Sequence, residues 1–224
     1  MNVTAQFIIY LTVLLFALLC ALRRFRQQER SLKIIALWLI VTVISESLAA
    51  FMSRYYQNNM PVYHFYAPVS LLLIALYYHY SIPVFQRYHI GYIIGIAGII
   101  AAIINTVFIQ PLTSLDSNLM LFSGICITTM ALFAFYAMFT DDTGLPLTGN
   151  IHFWISFLFL FYWCGTFLIW AFLQVLIILK EHEAIKPVYL MLWAINLVKY
   201  SGMGMAFLIL STKKTAYEKS KSFS

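Results

Sequence analysis

The chain has 224 residues, 62% of them hydrophobic and only 10% charged, with a net charge of +6 and a mean hydropathy of +0.86. A soluble domain carries about 25% charged residues, so this composition excludes an ordinary water-soluble enzyme and points to the bilayer as solvent. The basic residues lie in short segments between apolar runs, which excludes a nucleic-acid binder and fits topology signals and anionic-lipid contacts.

Seven apolar runs follow one another at residues 4–22, 33–53, 63–82, 89–110, 119–139, 151–179 and 188–210. Each reaches or nearly reaches the ~20 residues needed to span a hydrocarbon core. The first lacks a basic start and is followed by arginines, so it reads as a membrane helix rather than a cleaved leader. Short connections imply antiparallel neighbours. The expectation is an all-α membrane protein: a seven-helix transmembrane bundle over residues 1–210, with a basic cytoplasmic tail at 211–224.

Orientation follows from the bases. Arg23, Arg24, Arg26, Arg30, Lys33, Arg87, Lys213, Lys214, Lys219 and Lys221 fall on one side, and Arg54, Lys180 and Lys186 on the other. That bias predicts the N-terminus outside and the C-terminus in the cytoplasm. The loop "TDDTGLPLTGN" (140–150) holds Asp141, Asp142 and no base, but acids weigh little in this rule. Tyr55, Tyr56 and Tyr63 mark one interface, and Tyr77, Tyr78, His79 and Tyr80 the other. Pro68 is expected to kink the third helix. The small residues of "GYIIGIAGIIAA" (91–102) predict close packing of the fourth.

Two charges interrupt the runs. Lys199 lies about 17 Å from the inner end of the last helix, and Glu46 about 20 Å from the inner end of the second. An isolated charge at the bilayer centre costs at least about 2.5–3.5 kcal/mol. A closed ring of seven helices would bring the last beside the first two, so Glu46 and Lys199 are expected to face each other across the interior. Asn196, three positions before Lys199, shares its face. Tyr66, Ser70, Tyr162 and Thr166 supply hydroxyls in the middle and outer thirds, with Ser45, Ser47, Thr128 and Thr129 as further polar groups. Trp163, Trp170 and Trp193 are candidate walls. Such a cavity suits a small or lipid-like ligand. The alternative is structural: the pair fixes helix register, and the hydroxyls bind helices together at ~0.6 kcal/mol each.

Catalytic and metal chemistry is not apparent. His64, His79, His89, His152 and His182 form no i, i+4 pair, and Cys20, Cys126 and Cys164 are scattered through apolar runs. No phosphate loop, nucleophile elbow or HExxH motif occurs. The expectation is a protein that is not an enzyme, with no catalytic residues, no metal and no cofactor.

Three function classes remain. A sensor or receptor-like protein would bind a ligand in the bundle and act through a membrane signalling partner. A transporter or channel would use the midplane pair as a gate, although no repeated halves or matching broken helices support it. A retinal protein would use Lys199 as its Schiff-base lysine, with Glu46 as counter-ion from the second helix, since residues 63–82 hold no acid.

The ending "HFWISFLFLFYWCGTFLIW … LWAINLVKYSGMGMAF", with Phe153–Trp154, Tyr162 and Gly165, and Trp193 with Asn196, resembles small seven-helix proteins of Bacteroidota often encoded beside sensor histidine kinases. That family commonly carries a Glu early in its third helix, where this chain has Ala67 and Pro68. The resemblance implies a bacterial inner membrane and a signalling role.

Overall fold

The structure, a computed structural model, describes residues 3–140, 147–179 and 182–221. Asp141, Asp142, Lys180 and the end of the basic tail lie outside the described residues.

Eight α-helices are present and no strand occurs among the described residues: α1 (Val3–Leu22), α2 (Arg30–Tyr56), α3 (Met60–Ser81), α4 (Pro83–Arg87), α5 (Ile90–Ile104), α6 (Ser117–Phe139), α7 (Ile151–Leu179) and α8 (His182–Lys221). All but α4 belong to segments long and apolar enough to cross a membrane. A helix satisfies its own backbone polar groups, which is why apolar runs of this length fold this way in lipid. Their side chains are apolar on every face because one side meets protein and the other lipid. Phe108 and Phe65 are 80% and 69% exposed, while Leu14, Ile35, Leu39 and Leu71 are fully buried.

The helices alternate in direction, which gives the bundle two ends. One carries the α2–α3 connection around Asn59, the α5–α6 connection and the start of α8; it is called the Asn59 end. The other carries Arg30, Ser81 and Ile151, and is called the Arg30 end.

Helices α1, α2, α3, α6, α7 and α8 close a ring, each packed on the next, and α8 returns to α1. This differs from a ring of seven. Helix α5 lies outside it, packed chiefly on α3. The reason is local: Gly91 and Gly95 face α3 with no room for a side chain. A Cβ at Gly91 would overlap the Ala75 carbonyl and His79 Cβ, and one at Gly95 would overlap Leu72 Cδ1. Backbone-to-helix approach of this kind is what a GxxxG step permits, and it agrees with the close packing expected from the sequence.

Three local features were not foreseen. A single π-turn, Asn105–Ile109, ends α5, with the Gln110 amide donating to the Asn105 carbonyl at 2.7 Å. The short α4 starts at Pro83, whose fixed φ suits a first helical position. Helix α8 continues past Leu210 through Lys221. Pro68 lies inside α3; lacking an N–H, it leaves the His64 carbonyl without its helical partner.

Candidate functional site

A cavity of about 330 Å³ occupies the ring interior. It reaches the Asn59 end, where Asn59, Met60, Leu115 and Tyr189 line it. Glu46, Tyr63, Tyr66, Trp193 and Asn196 line its middle. Its deep end is bounded by Lys199, Trp38, Ser70, Phe159 and Tyr200. Along α3 the lining runs from Met60 to Ile74, a depth of about 21 Å at 1.5 Å per residue. A largely aromatic wall with a few converging polar groups is the usual makeup of a small-molecule site.

Lys199 is only 4% exposed. Its Nζ sits 3.6 Å from the ring centroid of Tyr162, 4.3 Å from that of Tyr200 and 5.7 Å from that of Trp38. The π faces of three rings therefore answer the ammonium, each contributing about 0.5–2 kcal/mol by the ring quadrupole. Trp38 is itself stacked on Tyr200 and meets Phe159 edge-on, so the cage is built from α2, α7 and α8 together.

Glu46 lies in the same cavity but does not touch the ammonium. Among the described residues the only ion pairs within 4.0 Å are His64–Asp116 and His152–Glu29. The Glu46 carboxylate instead accepts a long hydrogen bond, 3.4 Å, from the Tyr63 hydroxyl on α3. The two charges thus share one interior chamber, as their equal depth led us to expect, but the expected ion pair between them is not formed within 4.0 Å. The Lys199 ammonium lies instead among the rings of Trp38 on α2, Tyr162 on α7 and Tyr200 on α8.

The remaining expected residues sort clearly. Tyr66, Ser70, Tyr162, Trp193 and Asn196 line the cavity, as do Trp163 and Trp170. Thr166 does not: its hydroxyl donates to the Tyr162 carbonyl one turn back, at 2.8 Å. Thr129 and Ser47 likewise bond their own helices, and Ser45 faces a separate shallow groove between α2 and α3. Buttressing bonds hold the wall in place. The Trp38 indole donates to Ser70 Oγ at 2.8 Å, Thr42 and Tyr66 share a hydroxyl bond at 2.9 Å, and the Trp193 indole donates to the Gln6 carbonyl at 2.9 Å. Ser123 Oγ and Trp170 Nε1, on two lining residues, are buried without a hydrogen-bond partner among the described residues.

Sequence reasoning missed Trp38, Tyr10, Tyr63, Ser123 and Tyr200. One signal was available: Trp38, Thr42 and Glu46 recur at four-residue spacing and so share a face of α2. Nothing local distinguishes Tyr200 or Tyr10 from the lipid-facing aromatics.

Two further polar clusters flank the site. At the Asn59 end, His64 Nε2 donates to the Ser114 carbonyl and Nδ1 pairs with the Thr106 hydroxyl, both at 3.0 Å. Asp116 accepts from Asn105 Nδ2 at 2.7 Å, and Gln110, Ser117 and Asn118 complete the network over the π-turn. Burial pushes the Asp116 carboxyl above the usual carboxylate range, with the His64 ring acting in the opposite sense. At the Arg30 end, Tyr77 on α3, His152 on α7 and Glu29 before α2 form a chain, with contacts of 3.1 and 3.3 Å.

Seven membrane-length apolar helical segments, six of them closed around the chamber, define a multi-pass integral membrane protein. No family model, no curated protein and no solved structure matches the chain.

Proposed function

We propose that this protein is a sensor-like ligand-binding membrane protein, which takes a small molecule into the ring interior from the Asn59 end. The observation that carries the reading is the position of Lys199: a buried ammonium, on the wall of a cavity, with aromatic faces behind it and no carboxylate in contact. A charge kept in such a place is costly, and a ligand that completes its hydrogen bonds recovers part of that cost.

The Asn59 end is the outside by the charge bias of the loops, in a bacterial inner membrane by the resemblance of the last two membrane helices to the Bacteroidota proteins. A dead-end chamber is favoured over a through-path. The lining stops near Ile74, Phe159 and Tyr200, and the fully buried Tyr77, Tyr78 and Ile155 fill the bundle beyond. The helices α2, α3 and α7 that wall the chamber are also the ones joined by the chain of Glu29, Tyr77 and His152. A shift among them on ligand binding would reach the Arg30 end, where a membrane signalling partner reads it.

The test is native mass spectrometry of the protein released from its membrane, beside an Ala67→Trp variant that fills the chamber. The reading expects a small molecule carried by the first and absent from the second. It is overturned if the wild type carries nothing and no compound in a metabolite collection raises its unfolding temperature above that of the variant.

A further inference from the structure

The chamber holds two opposite charges that are not in contact: the Lys199 ammonium and the Glu46 carboxylate both line it, and neither is within 4.0 Å of an opposite charge among the described residues. We infer that the ligand is a small zwitterion with an aromatic body, of the α-amino-acid class, whose carboxylate meets Lys199 and whose ammonium meets Glu46. This rests on the ligand-binding reading above and deepens it.

Electrostatics decides the class. In a low-dielectric chamber a charge interacts far more strongly than in water. A simple anion drawn to Lys199 would be repelled by Glu46, and a simple cation drawn to Glu46 would be repelled by Lys199. Only a ligand carrying both signs meets attraction at each. It inserts between the two side chains and completes each with charge-assisted hydrogen bonds, which are roughly twice as strong as neutral ones. The Tyr63 hydroxyl, which already donates to Glu46 at 3.4 Å, steadies that carboxylate.

The walls and size set the rest. Trp163, Trp193 and Tyr66 line the same chamber as the two charges, and aromatic walls suit a planar ring stacked or edge-on at 4.5–7 Å between centroids. The 330 Å³ of the chamber is at the bottom of the ~300–1,000 Å³ range of ligand sites, so the guest is a small metabolite rather than a lipid. A rigid pair of charges also gives selectivity: a site built to hold a charged group rejects an analogue lacking it, because its own group is left buried and unpaired.

The test uses the full chain in lipid nanodiscs and three probes that share one ring: L-tryptophan, indole-3-propionic acid and tryptamine, which carry both charges, only the negative and only the positive. The remaining proteinogenic amino acids are measured alongside. The expected result is that the best amino acid binds at least ten times more tightly than its acid-only and amine-only analogues. Glu46→Gln should then weaken the zwitterion and the amine but spare the acid, and Lys199→Met should weaken the zwitterion and the acid but spare the amine. The wild-type ranking decides the matter whether or not either variant folds. If an acid or amine alone binds as well as its zwitterion, or if only molecules of another class bind, the zwitterion inference fails while the ligand-binding reading stands. If nothing binds and nothing co-purifies, both fail.

Discussion

Lys199 on α8 holds its Nζ 3.6 Å from the ring centroid of Tyr162 on α7, so an aromatic face stands where a carboxylate was expected. A desolvated cation–π contact is worth about 2 kcal/mol. Tyr162→Phe keeps the face and should change stability by no more than about 0.5 kcal/mol. Tyr162→Leu removes it and should cost about 2 kcal/mol. Thermal unfolding in a single detergent compares the two; equal losses would assign the effect to the hydroxyl and refute the contact.

Helix α5 depends on its glycines. A Cβ at Gly91 meets the Ala75 carbonyl and His79, so Gly91→Ala must push α5 off α3 at a cost of about 1–3 kcal/mol. Ile93, two residues on and 62% exposed, faces the lipid side, and Ile93→Ala should cost under about 0.5 kcal/mol. Unfolding midpoints of both variants test this, and similar losses at the two positions would contradict the packing described.

Asp116 predicts a pH dependence of defined sign. Its carboxyl is held above the usual range by burial, so the folded state binds its proton more tightly than the unfolded chain does. The stability tied to this group is complete below the ordinary aspartate range and is lost as pH rises through the raised value. Asp116→Asn, which keeps an acceptor for Asn105, removes that loss. Unfolding midpoints of variant and wild type should converge near pH ~4, with the variant higher at pH 8. A variant less stable at pH 8 would show the carboxylate to be stabilised in place.

The loop charges predict sidedness. In a chain whose Cys20, Cys126 and Cys164 are replaced by Ala, Asn58→Cys should react with a membrane-impermeant maleimide added to intact cells. Gln27→Cys should react only after permeabilisation. The reverse pattern would invert the orientation and place the chamber mouth in the cytoplasm.

Much of this architecture was legible and some was not, for distinct reasons. Run length and hydropathy report the need to satisfy backbone groups in lipid, so the membrane helices fell within a few residues of their expected places. Depth was legible too, because rise per residue is fixed, and Glu46 and Lys199 do share one chamber. Azimuth was not. A helix apolar on all faces carries no moment to say which side turns inward. With 15 Tyr and 19 Phe in the chain, nothing singled out Tyr200 or Tyr10 as interior. The neighbour order went astray at α5, where the small residues were noticed but their partner, α3, was a tertiary fact. The Glu46–Lys199 ion pair failed on azimuth rather than on neighbour order: the two line one chamber, but the ammonium lies among the rings of Trp38, Tyr162 and Tyr200.

The chamber itself is tested most directly at Ser70, which lines its deep end and accepts the Trp38 indole. In the cysteine-free chain, Ser70→Cys should be modified in the folded protein by water-soluble methanethiosulfonates. Compared with the Lys199→Met chain, in which Glu46 acts alone, the chain that keeps Lys199 should show an anionic-to-cationic rate ratio about tenfold higher, because the buried ammonium focuses its field there. A thiol that stays unmodified until the protein unfolds, or a rate ratio that Lys199→Met leaves unchanged, would contradict a water-accessible cavity floored by a lysine.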